Sequence, residues 1–165
     1  MLKQKTDEYF MNYALSLTQK AESQGEIPVA AILVREETIV AEGWNQSISL
    51  NDPSAHAEMQ AIRQAGDVLQ NYRLPDTTLY VTLEPCPMCA GLLVHSRIKR
   101  LVFGAKDEKT GACGSVMDLV RHPQLNHQIE VVSGVLADEC GAILSAFFKR
   151  RREEKKLAKQ QKQNG

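Results

Sequence analysis

Thr78-Leu79-Tyr80-Val81-Thr82-Leu83 is β-branched and aromatic, and beyond Glu84 it gives way to Pro85-Cys86-Pro87-Met88-Cys89 at the opening of a run that continues to Ser96. The first six residues read as a strand. Residues 85–96 read as a short helix, with Pro87 suited to a first turn because its missing N–H would be unpaired there in any case. A strand that feeds directly into a helix, with two thiols at the helix start, sets the fold class for the rest of the chain.

Upstream, Phe10, Tyr13, Ala14, Leu17 and Ala21 recur at helical spacing and predict an amphipathic helix over about residues 7–24. Gly25-Glu26-Ile27-Pro28 breaks it. Val29-Ala30-Ala31-Ile32-Leu33-Val34 reads as a buried strand, and Thr38-Ile39-Val40-Ala41, after the turn Arg35-Glu36-Glu37, as its hairpin partner. Asn51-Asp52-Pro53-Ser54 has helix-start chemistry, and Met59, Ile62, Ala65 and Leu69 mark the helix that follows. Downstream, Leu101-Val102-Phe103-Gly104 is a fourth strand, residues 105–128 are mostly irregular, and Ile129-Glu130-Val131-Val132 is a fifth strand. Leu136, Cys140, Ile143, Leu144, Phe147 and Phe148 form the apolar stripe of a final helix. Strands alternating with helices indicate an α/β layered sandwich.

At 165 residues, 43% hydrophobic and 24% charged, the chain suits one globular domain and no membrane span. We place that domain at residues 1–152, with a basic tail over 153–165 that is expected to fray. Charge in Met1-Leu2-Lys3-Gln4-Lys5-Thr6-Asp7-Glu8 stands where a signal peptide needs an apolar stretch, so a cytoplasmic location is expected. In that reducing setting Cys86, Cys89, Cys113 and Cys140 are poor disulfide candidates, which leaves metal binding or buried thiols. The zero net charge hides an asymmetry: from Lys149 onward eight Lys or Arg face two Glu, a net of +6 against −6 for the rest. Clustered cations of this kind suit a polyanion, or simply a solvated helix end.

Two clusters carry chemistry. His56-Ala57-Glu58 opens the second helix and Cys86-Pro87-Met88-Cys89 the third. Cysteines at i and i+3 share one helix face, so both sulfurs reach one ion, and a helix N-terminus favours the thiolate that binds metal. One His and two Cys make three strong zinc ligands, and three ligands with an open fourth position is the catalytic arrangement. Glu58, two residues past a ligand, is placed as a proton shuttle that does not itself bind the metal. A lone C-x-x-C would equally suit a redox pair, but that reading leaves His56 and Glu58 without a role. H-x-E followed by P-C-x-x-C is the pattern of the zinc nucleobase deaminases.

With these residues in place the sequence resembles the cytidine deaminase superfamily and, within it, the bacterial tRNA-specific adenosine deaminases, from about residue 8 to residue 152. Asp52-Pro53-Ser54-Ala55-His56-Ala57-Glu58, Leu79-Tyr80-Val81-Thr82-Leu83-Glu84-Pro85-Cys86 and Cys89-Ala90-Gly91 carry the resemblance. Val102-Phe103-Gly104-Ala105 with Asp107 and Lys109, and Asn126-His127, extend it past the zinc motifs. It implies a three-layer α/β/α sandwich around a five-stranded mixed sheet, a homodimer, one zinc ion per subunit, and conversion of adenosine to inosine at the wobble position of a tRNA anticodon. It implies further that His56, Cys86 and Cys89 hold zinc and that Glu58 shuttles protons. Asn45 would hydrogen-bond the adenine, Val29 would line its pocket, and Asp107 and Lys109 would contact the flipped-out anticodon nucleotides. Two other readings stay open: a deaminase of a free base or nucleotide, and an RNA-binding module whose structural zinc is closed by Cys113 or His95.

Overall fold

A computed structural model describes residues 5–164; residues 1–4 and 165, which the readings of the N-terminus and the tail include, lie outside it. The elements follow in the order α1 (Asp7–Ser23), β1 (Ala30–Arg35), β2 (Thr38–Trp44), α2 (Ala57–Leu69), β3 (Thr78–Leu83), α3 (Pro87–Ser96), β4 (Arg100–Ala105), β5 (Glu130–Ser133) and α4 (Ala137–Gln163). The sheet order is β2-β1-β3-β4-β5. β1 runs antiparallel to both β2 and β3, whereas β3, β4 and β5 are mutually parallel. The expected five-stranded mixed sheet is therefore present.

Side chains alternate between the two faces of a sheet, and β1, β3 and β4 read as nearly continuous apolar runs because both of their faces are buried under helices. Ala31, Leu33, Leu79, Val81, Leu101 and Phe103 pack in one core with Ala57, Ala61, Ala90 and Leu93 of α2 and α3. Ala30, Ile32, Tyr80 and Val102 point the other way, into a second core with Phe10, Met11, Ala14 and Leu17 of α1 and Cys140 of α4. The result is the three-layer sandwich. Asp7 clasps its start: the Arg100 guanidinium donates two hydrogen bonds to its carboxylate at 2.7 and 2.6 Å, and the Tyr80 hydroxyl a third at 2.8 Å. Among the described residues no helix is long and apolar enough to cross a membrane.

Two elements depart from expectation. β2 continues three residues past Ala41 to Trp44, because pairing of Ala30 with Trp44 and Ala31 with Gly43 overrides the weak strand preference of Glu42-Gly43. The tail expected to fray instead prolongs α4 to Gln163. Its Lys, Gln, Glu, Ala and Leu are good helix formers, they extend a helix already nucleated on the sheet, and Arg150 meets Glu154 at 3.5 Å one turn on.

The topology gathers four chain segments at one sheet edge. β3 and β4 are parallel, so both end there, and antiparallel β1 begins there. The Asn45 N–H donates to the Val29 carbonyl at 3.1 Å and the Glu84 N–H to the Ala105 carbonyl at 2.9 Å, continuing the pairing just beyond the strands. In open α/β sheets such a carboxyl edge is where ligands bind.

Candidate active site

Helix starts place the candidate metal-ligating side chains. His56 is the N-cap of α2 and Cys86 the N-cap of α3, each in extended backbone, with Pro87 in the first turn of α3. Cys89 lies one turn into α3 and is fully buried. The His56 Nδ1 stands 3.6 Å from the Cys86 Sγ and 3.6 Å from the Cys89 Sγ. All three donor atoms lie within 4.8 Å of one another, and no other residue joins this cluster among those described. Cys113 and His95 therefore do not complete a fourth corner, and the closed structural site loses its support.

The donor set fits zinc on two counts. Donors about 2.3 Å (S) and 2.0 Å (N) from an ion at tetrahedral angles stand roughly 3.6 Å apart, which is the observed spacing. The charges agree as well. Hydrogen bonding from the Cys89 thiol, with His56 also helping against burial, pulls Cys86 down to about 4. The reciprocal bond to Cys86, followed by burial, pushes the Cys89 thiol up, and a divalent cation held between the two sulfurs would favour both as thiolates.

Glu58 occupies the first turn of α2, 4% exposed, and burial pushes its carboxyl up to about 7. It sits close enough to His56, Cys86 and Cys89 to feel each of them, yet is not one of the clustered donors. α2 is held tightly against the sheet here, because a Cβ on Gly43 of β2 would stand 2.6 Å from the Ala61 nitrogen and would collide with the Ala57 carbonyl oxygen. The Gln60 side-chain amide donates to Gln46 at 3.0 Å, and the Gln46 N–H donates to the Ala55 carbonyl at 2.9 Å.

A cavity of about 180 Å³ opens over this cluster, lined by Ile27, Val29, Asn45, His56, Glu58, Leu83, Cys86, Asp107 and Thr110 among others. Val29, Asn45 and Asp107 thus line the same cavity as His56 and Cys86. Lys109 does not line the cavity; it is exposed on the same loop, its N–H donating to Asp107 Oδ1 at 3.1 Å. Trp44 does not line it either, and packs half-buried towards the second core with Lys20 5.0 Å from its ring centroid. His127 is engaged with the Ile98 carbonyl at 2.6 Å, and Cys140 is a buried thiol against Gly104.

Two buried carboxylates escaped the sequence reading. Glu26, in the break after α1, is fully buried and accepts hydrogen bonds from the Ile48 N–H at 3.1 Å, the Ser49 N–H at 2.7 Å and the Ser49 hydroxyl at 2.6 Å. It shapes the stretch that follows Asn45. Glu84, 2% exposed, lies between β3 and Cys86 and faces the loop that carries Asp107. Glu26 gave no sequence signal beyond an acidic residue adjoining an apolar strand, and Glu84 stood within the stretch Leu79–Cys86 that carries the resemblance without being assigned a role.

The basic end of α4 is partly committed to the fold. Arg150 pairs with Glu22 at 2.9 Å, and the Arg151 guanidinium donates to the Gly25 carbonyl and lies 5.1 Å from the Phe147 ring. Arg152, Lys155, Lys156, Lys159 and Lys162 remain exposed.

Residues 4–105 match the family model for the cytidine and deoxycytidylate deaminase zinc-binding region. The chain is 59% identical to a tRNA-specific adenosine deaminase of Haemophilus influenzae over 93% of its own length and 89% of the relative's. It is 49% identical to that of Bacillus subtilis over 93% of its length and 95% of the relative's. A solved structure from work on A-to-I editing by tRNA:A34 deaminases at the wobble position of transfer RNA superposes with a TM-score of 0.80 and 41% identity, covering 82% of this chain and 99% of that one. The three-donor cluster, the buried carboxylate beside it and these likenesses lead to one conclusion: the chain belongs to the cytidine and deoxycytidylate deaminase family and, within it, to the tRNA-specific adenosine deaminases.

Proposed function

We propose that this chain is a zinc-dependent tRNA adenosine deaminase, hydrolysing adenosine to inosine and ammonia at the wobble position of the anticodon. The observation that carries this is the convergence of His56, Cys86 and Cys89 with buried Glu58 and with Asn45 around one cavity of about 180 Å³. That is well under the roughly 300–1,000 Å³ of a drug-sized pocket, so it suits a single base whose sugar and phosphates stay outside. A base in an anticodon loop is already partly unstacked and enters at lower cost than one in a duplex.

In this reading His56, Cys86 and Cys89 hold the zinc ion. When bound, zinc lowers the pKa of a coordinated water from about 15.7 towards 7 and so supplies the nucleophile for C6 of adenine. Glu58 would accept one proton of the water and deliver it to N1, which makes C6 more electrophilic; once the hydroxyl has added to C6, Glu58 would take up that hydroxyl's proton and give it to the exocyclic amine, which leaves as ammonia as the C6 oxygen becomes the carbonyl of inosine. The Asn45 side chain orients the base by hydrogen bonding, and Val29 packs against its face. Asp107 and Lys109 meet neighbouring nucleotides at the rim, and the exposed cations of α4 contribute phosphate attraction. The domain spans residues 1–152, with 153–165 as a basic extension. A homodimer and a cytoplasmic location, where tRNA is met, belong to the same reading and rest on the family resemblance.

The experiment incubates zinc-loaded protein with unmodified tRNA and, separately, with free adenosine, cytidine and guanine, reading products by nucleoside mass spectrometry. Inosine is expected in tRNA alone, and Glu58→Ala is expected to keep one zinc per chain while losing nearly all turnover. Product from a free base with tRNA untouched would overturn the assignment. Light scattering of the same sample tests the dimer.

A further inference from the structure

We propose that Glu84 is a positioning residue for RNA recognition: its carboxylate locks the loop that bears Asp107 and Lys109 onto the turn that bears Cys86. The inference rests on the preceding assignment of Asp107 and Lys109 to substrate contact. It is carried by hydrogen-bond geometry. Glu84 Oε1 accepts from the Asp107 N–H at 3.1 Å and from the Ser115 hydroxyl. Oε2 accepts from the Cys113 N–H at 3.0 Å and the Ser115 N–H at 3.1 Å. All four partners are donors, two on each oxygen, and all come from one loop. No ion pair to Glu84 is found among the described residues, so these donors are what offset the burial of the carboxylate.

The loop is wrapped around that side chain. A Cβ on Gly111 would collide with the Glu84 carboxylate and stand 2.5 Å from the Asp107 carbonyl oxygen. The Ala112 N–H donates to the Pro85 carbonyl at 2.9 Å, next to the ligand turn. Asp107 in turn uses its own carboxylate to accept from the Lys109 N–H, the Thr110 N–H and the Thr110 hydroxyl at 3.1, 3.1 and 2.8 Å. A chain of bonds therefore runs from Glu84 through the Asp107 backbone to Lys109. Only a side chain that accepts on both oxygens satisfies all three backbone donors: an amide in place of the carboxylate would aim its NH₂ at the Asp107 N–H in one orientation and at the Cys113 and Ser115 N–H groups in the other, and only the Ser115 hydroxyl could turn to accept from it.

Glu84→Gln is tested in the Glu58→Ala background, so that binding of an anticodon stem-loop is read by fluorescence anisotropy without turnover. Affinity is expected to fall by roughly tenfold to a hundredfold, with one zinc retained per chain. In the otherwise native enzyme the same substitution raises KM far more than it lowers kcat, a split that a loss of folded protein would not produce. Amide exchange at Asp107, Cys113 and Ser115 is expected to quicken. Ser115→Ala, which removes only the hydroxyl donor, shifts affinity the same way by less and decides the matter if Glu84→Gln fails to fold. Unchanged affinity overturns the proposal, as does loss of zinc, which would make Glu84 a support for Cys86 instead. Lys109→Ala is measured alongside. If it leaves affinity intact, the assignment of the loop to RNA fails; if it weakens binding while Glu84→Gln does not, only the role of Glu84 fails.

Discussion

Gly43→Ala puts one methyl group between the sheet and the helix that begins with His56. The new Cβ would stand 2.6 Å from the Ala61 nitrogen and 2.9 Å from the Gln60 Cβ, and would collide with the Ala57 carbonyl oxygen. Two of these three are backbone atoms, so no rotamer change relieves them. Restoring ordinary contact near 3.4 Å to the closest of these atoms requires α2 to withdraw by roughly 1 Å, an overpacking strain of about 1–3 kcal/mol. At about 2–4 °C per kcal/mol in a chain of this length, the melting midpoint falls by several degrees. The larger effect is chemical. His56 and Glu58 travel with α2, whereas Cys86 and Cys89 stay with α3, so the donor cluster and the carboxylate lose register. A misplacement near 1 Å costs about 10²-fold in rate, and disturbed support of a metal ligand costs about 10–100-fold in affinity. The assays are single-turnover inosine formation, zinc per chain after dialysis against a chelator, and thermal melting by circular dichroism. Gly66→Ala on the same helix is the control. Its Cβ would find the Asn71 carbonyl at 3.5 Å, so it should be neutral or stabilise by up to about 1 kcal/mol. A Gly43→Ala protein with wild-type zinc retention and rate would refute the claim that this contact sets the position of the catalytic helix.

Cys86→Ser should lower zinc to well below one per chain by elemental analysis while the far-ultraviolet spectrum is kept; full occupancy would remove Cys86 from the ligand set. The Arg100 guanidinium, helped by the Tyr80 hydroxyl, holds the Asp7 carboxyl below its ordinary 3.8, so the folded state takes up that proton less readily than the unfolded chain. The stabilisation is then fully present above the unfolded value and is lost as pH falls through the lower folded one. Asp7→Asn should therefore melt a few degrees below wild type at pH 7, with the gap narrowing as pH falls below the ordinary 3.8; a gap independent of pH would contradict this. Truncation after Arg152 removes Lys155, Lys156, Lys159 and Lys162, and should flatten the dependence of log affinity on log salt by up to about 3, at roughly 0.7 per cation. An unchanged slope would return that stretch to a merely solvated helix.

The sheet and the metal-ligating cluster were legible for the same reason: each rests on short-range spacing. A continuous apolar run marked β1 and a β-branched and aromatic run marked β3, while the two cysteines at i and i+3 lie within one helical turn, as do His56 and Glu58 within another. The end of β2 was not legible, because Glu42-Gly43 has no strand preference and is held there by β1 and by the fit of Gly43 under α2. Glu26 and Glu84 were invisible for a different reason. Each receives its donors from residues more than twenty positions away, and a lone acidic residue in sequence carries no sign that the fold will bury it. Arg150 and Arg151 looked like free cations until Glu22 and the Gly25 carbonyl, more than a hundred residues upstream, were seen to engage them.

That engagement has a thermodynamic consequence for the exposed part of α4. Immobilising a backbone residue costs about 1–2 kcal/mol of entropy, and along residues 153–163 that cost is met when the protein folds, before any RNA arrives. Docking of a polyanion onto a helix already formed should therefore show a small heat-capacity change, unlike association coupled to folding. With a rise of about 1.5 Å per residue, Lys155 to Lys162 presents its ammonium groups over about 10 Å along a fixed line. The clamp at Glu22 and Gly25 sits just before Ile27, at the rim of the cavity, so that line keeps a constant bearing on the pocket mouth. If these cations attract RNA phosphates as proposed above, an incoming anticodon arm would be guided in an orientation set by the fold, and encounter would become directional before the first base contact is made.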